Sequence, residues 1–204
     1  MMWQVFLSGG PVMFPLLFCS LLVVTITIER LWYFLSQRGD LEEIRRIVFR
    51  LMEKSAPLEA IQYLQKINHP VARMLQAALL HYGKDRQQVE FTLRDAGELE
   101  IRKMERGLGL LNVIITAAPL LGLLGTVTGI INSLNVLGAL QGVASPAQLS
   151  GGIAQALITT AFGLMIAIPA LFVMHWLNSI IDKKVQTMNQ TSKEFLDNYE
   201  NRGE

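Results

Sequence analysis

With 204 residues, 51% of them hydrophobic, and a mean hydropathy of +0.35, the chain has the composition of a polytopic membrane protein with a modest soluble portion. Its formal net charge is +1, and Lys and Arg are interspersed with Asp and Glu. No basic patch is left to bind a phosphate backbone, so the composition argues against a nucleic-acid partner. The single cysteine, Cys19, lies in an apolar run, where we interpret it as a small buried hydrophobe rather than a redox group.

The chain begins with an uncharged segment, 1–10, which lacks the basic region of a signal peptide and is expected to be retained. An apolar stretch over 11–35 follows, and it exceeds the length of about 20 residues that a helix needs to cross a bilayer. Glu29 and Arg30 lie near the end of this first span. We interpret them as snorkelling to lipid headgroups or contacting the soluble part, in preference to a place in an ion path.

The segment 36–106 is polar and carries the signals of several helices. N-capping residues and helix-opening prolines recur along it, at Asp40, Ser55, Pro57, Pro70 and Asp85. No strong breaker stands between Arg86 and Pro119, so the last helix is expected to run unbroken into the next apolar stretch. Gly97 and Gly107 are expected to be weak interruptions, costing about 1 kcal/mol each relative to Ala.

From Gly107 to Ile181 the chain contains no Asp, Glu, Lys or Arg, and a turn-rich segment, 138–150, divides this stretch into two candidate spans. Both spans carry small residues at three- and four-residue spacing, where a lipid anchor would carry large apolar ones. Because lipid gives no hydrophobic drive for helix association, such faces predict close packing between helices. The small residues are Gly122, Gly125, Thr126 and Gly129 in the second span and Gly152, Ala156, Thr159, Thr160, Gly163 and Ala167 in the third.

The positions of the charges predict the topology. All 18 Lys and Arg fall within 30–106 or 183–202, so by the positive-inside rule these segments are cytoplasmic. Apolar residues at helical spacing beyond Lys184 predict that the third span continues as a helix. The predicted protein is all-α and polytopic, with a periplasmic N-terminus (1–10), a first span (11–35), a cytoplasmic helical domain (36–106), a second span (107–137), a periplasmic turn (138–150), a third span (151–181) and a cytoplasmic C-terminal helix (182–204).

The polar groups inside the spans are almost all neutral. His175, the one titratable residue of 107–181, lies beside Trp176, and we interpret it as interfacial rather than as a proton relay. The other polar side chains could line a water path, but each Thr hydroxyl could equally bond a carbonyl of its own helix. Neither Thr nor Gln titrates, so any proton-carrying group must come from a partner chain. These side chains are Thr126, Thr128, Gln155, Thr159 and Thr160, and Pro119 and Pro169 interrupt the backbone bonds of the same spans.

Both spans carry runs that resemble the MotA/TolQ/ExbB proton-channel family. The run 118–130 (APLLGLLGTVTGI) looks like the second-helix motif, and 152–164 (GIAQALITTAFGL) followed by 167–170 (AIPA) looks like the third-helix motif. The run 28–32 (IERLW) is similar to the end of the first helix in ExbB-like members. The match covers all three spans in order, and three spans favour the ExbB/TolQ branch over the four-span flagellar stator proteins.

This resemblance implies a motor subunit of the bacterial inner membrane that forms a homopentameric ring in contact with membrane lipids. An ExbD/TolR-like single-span partner would supply the membrane aspartate that carries the proton, and a TonB/TolA-like periplasm-spanning protein would receive the energy. The polar residues facing the partner along the proton path would be Thr126, Gln155, Thr159 and Thr160. The residues shaping the pore helices would be Pro119, Gly122, Gly125, Gly129, Gly163 and Pro169.

One position departs from the family pattern, because well-known members carry a glutamate where this chain has Gln155. A glutamine can donate and accept hydrogen bonds but holds neither a proton nor a charge at this position. Either the partner's aspartate suffices, which we favour, or the coupling ion or the activity differs. The coupling ion, proton or sodium, and the role, ExbB-like or TolQ-like, stay open.

Two other classes of function find less support. A non-conducting membrane scaffold would organise partners through the cytoplasmic helices, and its function would not respond to uncouplers. A membrane enzyme would need a metal-ligand cluster, a phosphate loop or a nucleophile–base pair; His69 and His81 stand in helical segments without Cys partners. We therefore expect no enzymatic activity, no metal site and no cofactor.

Overall fold

The computed structural model describes residues 6, 8–37, 39–139 and 146–200. All the regular secondary structure of these residues is helical, which confirms the all-α prediction. Their seven longer helices are α1 (Met13–Ser36), α2 (Leu41–Glu53), α3 (Pro57–Gln65), α4 (Pro70–Leu79), α5 (Arg86–Glu105), α6 (Leu108–Ala139) and α7 (Pro146–Glu200).

Three helical stretches are long and apolar enough to cross a membrane, which confirms the expected number of spans. They lie within Met13–Ser36, Arg86–Gly138 and Ser150–Tyr199. The centre of the predicted periplasmic turn, 140–145, and most of the predicted N-terminal segment lie outside the described residues, whereas 146–150 already belong to α7.

The chain forms two compact units, each with its own core. Unit 1 comprises the residues up to Ile28 together with Gly107–Trp176, and unit 2 comprises Glu29–Arg106 together with the residues from Leu177 onward. In unit 1 the start of α1 packs on α6 and α7. Large apolar side chains elsewhere on these helices are exposed, including Leu120 (65%) and Phe172 (72%), as expected of surfaces that meet lipid or another protein chain. The buried cluster of unit 1 is formed by Val12, Met13, Leu16, Ile114, Ala118 and Ala167.

Unit 2 is a bundle in which α2 to α5 pack in sequence, each on the next. Its helices start at side-chain caps: the Asp40 carboxylate accepts from the Glu42 N–H (3.1 Å) and the Asp85 carboxylate from the Gln87 N–H (3.3 Å). The prediction that Ser55 caps α3 is wrong. Ser55 adopts a left-handed backbone (φ 54°) after α2, and the N-cap position of α3 is Ala56, without a side-chain hydrogen bond.

The C-terminal part of α7 belongs to unit 2, and Tyr199 holds it against the loop that precedes α5. The Tyr199 hydroxyl donates to the Lys84 carbonyl (2.5 Å) and accepts from the Gly83 N–H (3.0 Å). Five residues earlier in α7, Glu194 forms an ion pair with Arg45 of α2. The prediction that the third span continues as a helix is confirmed, since α7 extends without interruption to Glu200.

The prediction of an unbroken helix from Arg86 into the second span is wrong, because α5 ends at Glu105 and α6 begins at Leu108. Arg106 is extended (ψ 130°) and Gly107 has φ +82°, a conformation that residues with a side chain rarely adopt. The Gly107 carbonyl then accepts from the Leu111 N–H (3.1 Å) and starts the new helix. Gly107 therefore separates two helices rather than being a weak interruption of one.

Arg30 closes the C-terminal end of α5. It is 2% exposed, and its Nη1 donates to the carbonyls of Lys103 (2.8 Å) and Met104 (3.3 Å), which lack helical partners at a helix end. Its Nε donates to Glu29 (2.6 Å), and its guanidinium lies 4.8 Å from the centre of the Tyr33 ring. Contact with the soluble part, one form of the interpretation preferred for this residue over a place in an ion path, is observed.

A second buried charge, Glu100 on α5, lies between two cations. Arg73 donates to it from α4 through Nε (2.8 Å), and Lys103 donates through Nζ (2.7 Å). Burial raises the pKa of Glu100, but the hydrogen bonds and charges of Arg73 and Lys103 outweigh burial and hold the pKa below its ordinary value.

The Glu100 pair gives a pH-dependent contribution to stability. Because the folded-state pKa lies below the unfolded one, the contribution is present at neutral pH and is lost as the pH falls from about 4.5 through the folded-state value. We expect Glu100→Gln to lower the midpoint of thermal unfolding at pH 7. Between neutral and acidic pH, the midpoint of this variant should fall less than that of wild type. Glu98→Gln, which removes an exposed partner of Arg94 and Arg102, is the control. Parallel pH profiles for wild type and Glu100→Gln would contradict the assignment.

Candidate functional site

The small-residue faces of α6 and α7 meet at backbone distance. A methyl group built on Gly129 would lie 2.5 Å from the Gly152 carbonyl oxygen and 2.9 Å from the Ala156 nitrogen. At Gly163 it would lie 2.5 Å from the Ala118 carbonyl oxygen. No side chain fits at such distances without separating the helices. The structure therefore brings together the glycines that the sequence singled out in the two spans.

Thr159 lies at the centre of this contact and is 0% exposed. A Cβ on Gly125 would overlap the Thr159 hydroxyl and Cβ, and a Cβ on Gly9 would lie 3.4 Å from its Cγ2. The Thr159 hydroxyl bonds the carbonyls of Gln155 (3.1 Å) and Ala156 (3.0 Å) in its own helix. Within one chain this side chain fills the space that Gly125 leaves.

Thr160 is half-buried, and among the predicted site hydroxyls it is the one with a hydrogen bond to the neighbouring helix. Its Oγ1 is within 3.1 Å of the Gly122 carbonyl on α6 and 3.3 Å of the Ala156 carbonyl on α7. A Cβ on Gly122 would lie 3.0 Å from the Thr160 Cα, so this glycine is what lets the hydroxyl approach the opposite backbone. The hydroxyl has one proton and can donate to either carbonyl in turn.

Thr126 is half-buried on α6, and its hydroxyl donates to the Leu123 carbonyl (2.6 Å). Thr128 donates likewise to the Gly125 carbonyl (3.0 Å). Every Thr considered as pore lining thus has a hydrogen bond within its own helix. This is the alternative to pore lining that the sequence left open. In the described part of the chain no hydrogen bond joins Thr126 to Thr159 or Thr160.

Gln155 is half-buried and lies beside Gly10, just before α1. Gly10 has φ +71°, and a Cβ there would overlap the Gln155 side-chain amide. A residue with a side chain at position 10 would therefore be strained twice, by its backbone and by this contact. Gln155 thus lies against the segment leading into α1, one turn from Thr159 on the same face of α7.

Both prolines lie inside continuous helices, Pro119 in α6 and Pro169 in α7. Proline has no backbone N–H, so the carbonyls one turn earlier, at Ile115 and Met165, lose their helical donors. Pro119 is half-buried, whereas Pro169 is exposed and lines an apolar groove between α1 and α7. A freed carbonyl can accept a hydrogen bond from water or from another chain.

The contact extends one residue beyond the sequence prediction, to Ser133. Ser133 is 8% exposed, and a Cβ on Gly152 would overlap its hydroxyl. Gly125, Gly129 and Ser133 are spaced four residues apart, so the spacing of small residues in the sequence already indicated that Ser133 lies on the contact face. His175, by contrast, lies on an exposed part of α7.

The chemistry available at this contact is limited to neutral groups. Hydroxyls, a carboxamide and freed backbone carbonyls can orient water or bond a carboxylate, but none of them takes up and releases protons near neutral pH. Within the described residues no group of three or more His, Cys, Asp or Glu is placed to hold a metal ion.

These features define a multi-pass α-helical membrane protein whose second and third apolar helices pack at backbone distance around neutral polar groups. The model of the MotA/TolQ/ExbB proton channel family matches residues 66–190, and the chain belongs to this family. The family is one of proton channels rather than of enzymes.

Individual relatives agree with the family assignment. The chain is 38% identical over 178 residues to an ExbB-like biopolymer transport protein of Synechocystis sp., covering 86% of this chain and 70% of the relative. It is 31% identical over 191 residues to a biopolymer transport ExbB homolog of Methanothermobacter thermautotrophicus, covering 93% and 67%. It is 30% identical over 188 residues to the biopolymer transport protein exbB1 of Vibrio cholerae, covering 89% and 81%.

Proposed function

We propose that the chain is the ring-forming subunit of a proton-driven motor in the bacterial inner membrane. Five copies would surround a single-span, ExbD/TolR-like partner, and the complex would pass proton-motive force to a TonB/TolA-like protein that spans the periplasm. Outer-membrane transport or envelope maintenance would be the process driven. Membership of a proton-channel family supports the coarse activity, and the named relatives are biopolymer transport proteins.

One observation carries the proposal: the closely packed helix pair offers hydroxyls and freed carbonyls but no carboxylate. The stretch 107–181 contains no Asp, Glu, Lys or Arg. His175, the one titratable residue of this stretch, lies on an exposed part of α7, outside the contact. A proton crossing beside the contact therefore needs a titratable group from another chain, and a membrane aspartate on the partner would supply one. In this scheme Thr126 and Thr160 line the path, Pro119 and Pro169 offer carbonyls, and Thr159 with Gly122, Gly125, Gly129 and Gly163 fixes the distance between the helices.

The proposed orientation follows the charges. The positive-inside rule puts 1–10 and 138–150 in the periplasm, and 36–106 and 182–204 in the cytoplasm. The spans would be 11–35, 107–137 and 151–181. The exposed apolar side chains of α1, α6 and α7 would then meet lipid or neighbouring subunits.

Gln155 has a structural role in this proposal. Its amide packs beside Gly10, which supports a part in holding the start of α1 against α7. The partner's aspartate would then be the sole proton carrier of the path.

The proposal is tested by co-expressing the chain with an ExbD/TolR-like partner and extracting the complex gently. Native mass measurement should give five copies of this chain with two of the partner, and vesicles containing the complex should take up protons. Replacing the partner's aspartate by asparagine should abolish uptake and leave the mass unchanged. A monomer or dimer, under conditions that hold a known family complex together, or a function indifferent to uncouplers, would favour a membrane scaffold.

A further inference from the structure

Unit 2 contains a small cavity of about 140 Å³ that the proposed motor function does not use. It lies between the start of α4, the first residue of α2 and the part of α7 that directly follows the uncharged stretch 107–181. We call it the lysine cavity. It is lined by Leu41, His69, Pro70, Val71, Lys183, Lys184, Thr187 and Met188.

The lining of the lysine cavity has positive charge and no negative charge. Lys184 is half-buried and Lys183 is exposed, and neither forms an ion pair or hydrogen bond within the described part of the chain. Asp182, the nearest acid in sequence, is exposed and is not among the lining residues. Burial lowers the pKa of Lys184, so its ammonium group is held in a place that costs free energy without a counterion.

His69 adds a neutral donor to this cavity. Its Nδ1 accepts from the Val71 N–H (3.3 Å) and caps α4, so the ring proton resides on Nε2. Burial, then the charges of Lys184 and Arg73, lower the pKa of His69 to about 4, which keeps this tautomer neutral at physiological pH. The Nε2–H, the Thr187 hydroxyl and two ammonium groups are hydrogen-bond donors around one cavity.

We infer that the lysine cavity binds a phosphate group. A phosphate oxygen accepts charge-assisted hydrogen bonds from both lysines and neutral ones from His69 and Thr187, and it removes the penalty of the half-buried ammonium. The N-terminus of α4, a helix of ten residues, adds a favourable partial charge on the same side.

The phosphate has two sources with the same chemistry. Lys183 and Lys184 follow within three residues of Ile181, the end of the proposed third span, where the headgroup of an anionic lipid would lie. Free inorganic phosphate from the cytoplasm presents the same oxygens. The cavity belongs to unit 2 alone. A lipid source rests on the proposed position of the third span, whereas free phosphate does not, and neither depends on proton transport.

The test compares the double variant Lys183→Gln/Lys184→Gln with Lys193→Gln, an exposed lysine of the same helix. In the lipid arm, the full chain is reconstituted in equal parts phosphatidylglycerol and phosphatidylcholine, extracted gently, and its retained lipid is counted by native mass spectrometry. In the phosphate arm, the unfolding midpoint is measured in phosphatidylcholine with inorganic phosphate or with chloride at equal ionic strength.

Wild type and Lys193→Gln should retain phosphatidylglycerol or be stabilised by phosphate. The double variant should bind the same lipid or the same phosphate at least about tenfold more weakly. The arm that responds identifies the source. Without phosphate, Lys184→Met should unfold at the same temperature as wild type or at a higher one. Adding phosphate should not raise its unfolding temperature as it raises that of wild type. A lysine with a purely structural role would not give both results. Equal retention and equal phosphate response in the double variant and Lys193→Gln would overturn the inference, as would a destabilised Lys184→Met without phosphate.

Discussion

Gly129→Val should separate α6 from α7 and destabilise the protein by about 2 kcal/mol or more, the cost of overpacking a closed contact. The nearest atoms to a new Cβ belong to the backbone, the Gly152 carbonyl at 2.5 Å and the Ala156 nitrogen at 2.9 Å, so no rotamer change relieves the overlap. The pair can respond only by moving apart, which also breaks the approach of Thr160 to Gly122.

Gly109→Val is the matched control, because it lies on the same helix and a Cβ there meets nothing within 4 Å. Both variants replace a glycine of the same helix by valine, and intrinsic helix propensities differ by less than about 1 kcal/mol, so a larger difference between their unfolding midpoints in lipid nanodiscs reports the contact. Gly129→Val should also yield less of the native-mass complex with the partner. Equal midpoints and equal assembly for the two valine variants would show that the α6–α7 contact does not stabilise the protein.

The contact between the spans could be predicted from the sequence because its signal is periodic. Gly122, Gly125 and Gly129 fall on one face of a helix, and in a membrane such a face has few uses besides close packing. Ser133 continues the same four-residue spacing. What the spacing leaves open is the partner of each residue, since register depends on how two helices slide past one another.

The break at Gly107 could not be predicted in the same way. A glycine inside a helix costs about 1 kcal/mol, too little to end one by itself. What ends α5 is the combination of a positive φ at Gly107 with Arg30, whose guanidinium satisfies the last carbonyls of α5 from far away in sequence. Residues 30 and 103 carry no local pattern that pairs them.

The role of hydroxyls was the least determined part of the site. The sequence gives no basis for distinguishing the four threonines of the two spans, and the hydroxyl of each bonds a carbonyl of its own helix. They are Thr126, Thr128, Thr159 and Thr160. Only the three-dimensional contact separates them, by enclosing Thr159 and giving Thr160 a second acceptor across the interface. The position of Gln155 against Gly10 likewise depends on a loop that no periodicity describes.

Thr160→Val should reduce coupled proton flux to background, a loss of at least about tenfold, while the complex still assembles. Valine matches the shape of threonine, so the variant removes the hydroxyl and little packing. The lost interhelical hydrogen bond costs stability of only about 0.6 kcal/mol, the average for membrane proteins. The flux would fall because the hydroxyl no longer orients water or the partner's aspartate beside Gly122.

Two variants separate this role from structure. Thr160→Ser keeps the hydroxyl and should keep the flux, and Thr116→Val removes an exposed hydroxyl that bonds only its own helix, at Asn112 and Val113 (3.2 and 2.9 Å). Proton uptake into vesicles, normalised to the amount of assembled complex, is the measurement. Undiminished uptake by Thr160→Val would remove Thr160 from the path. The hydrogen bond to Gly122 would then be a structural bond of the helix pair, and the aspartate would need its water from Thr126 or from the carbonyls freed by Pro119 and Pro169.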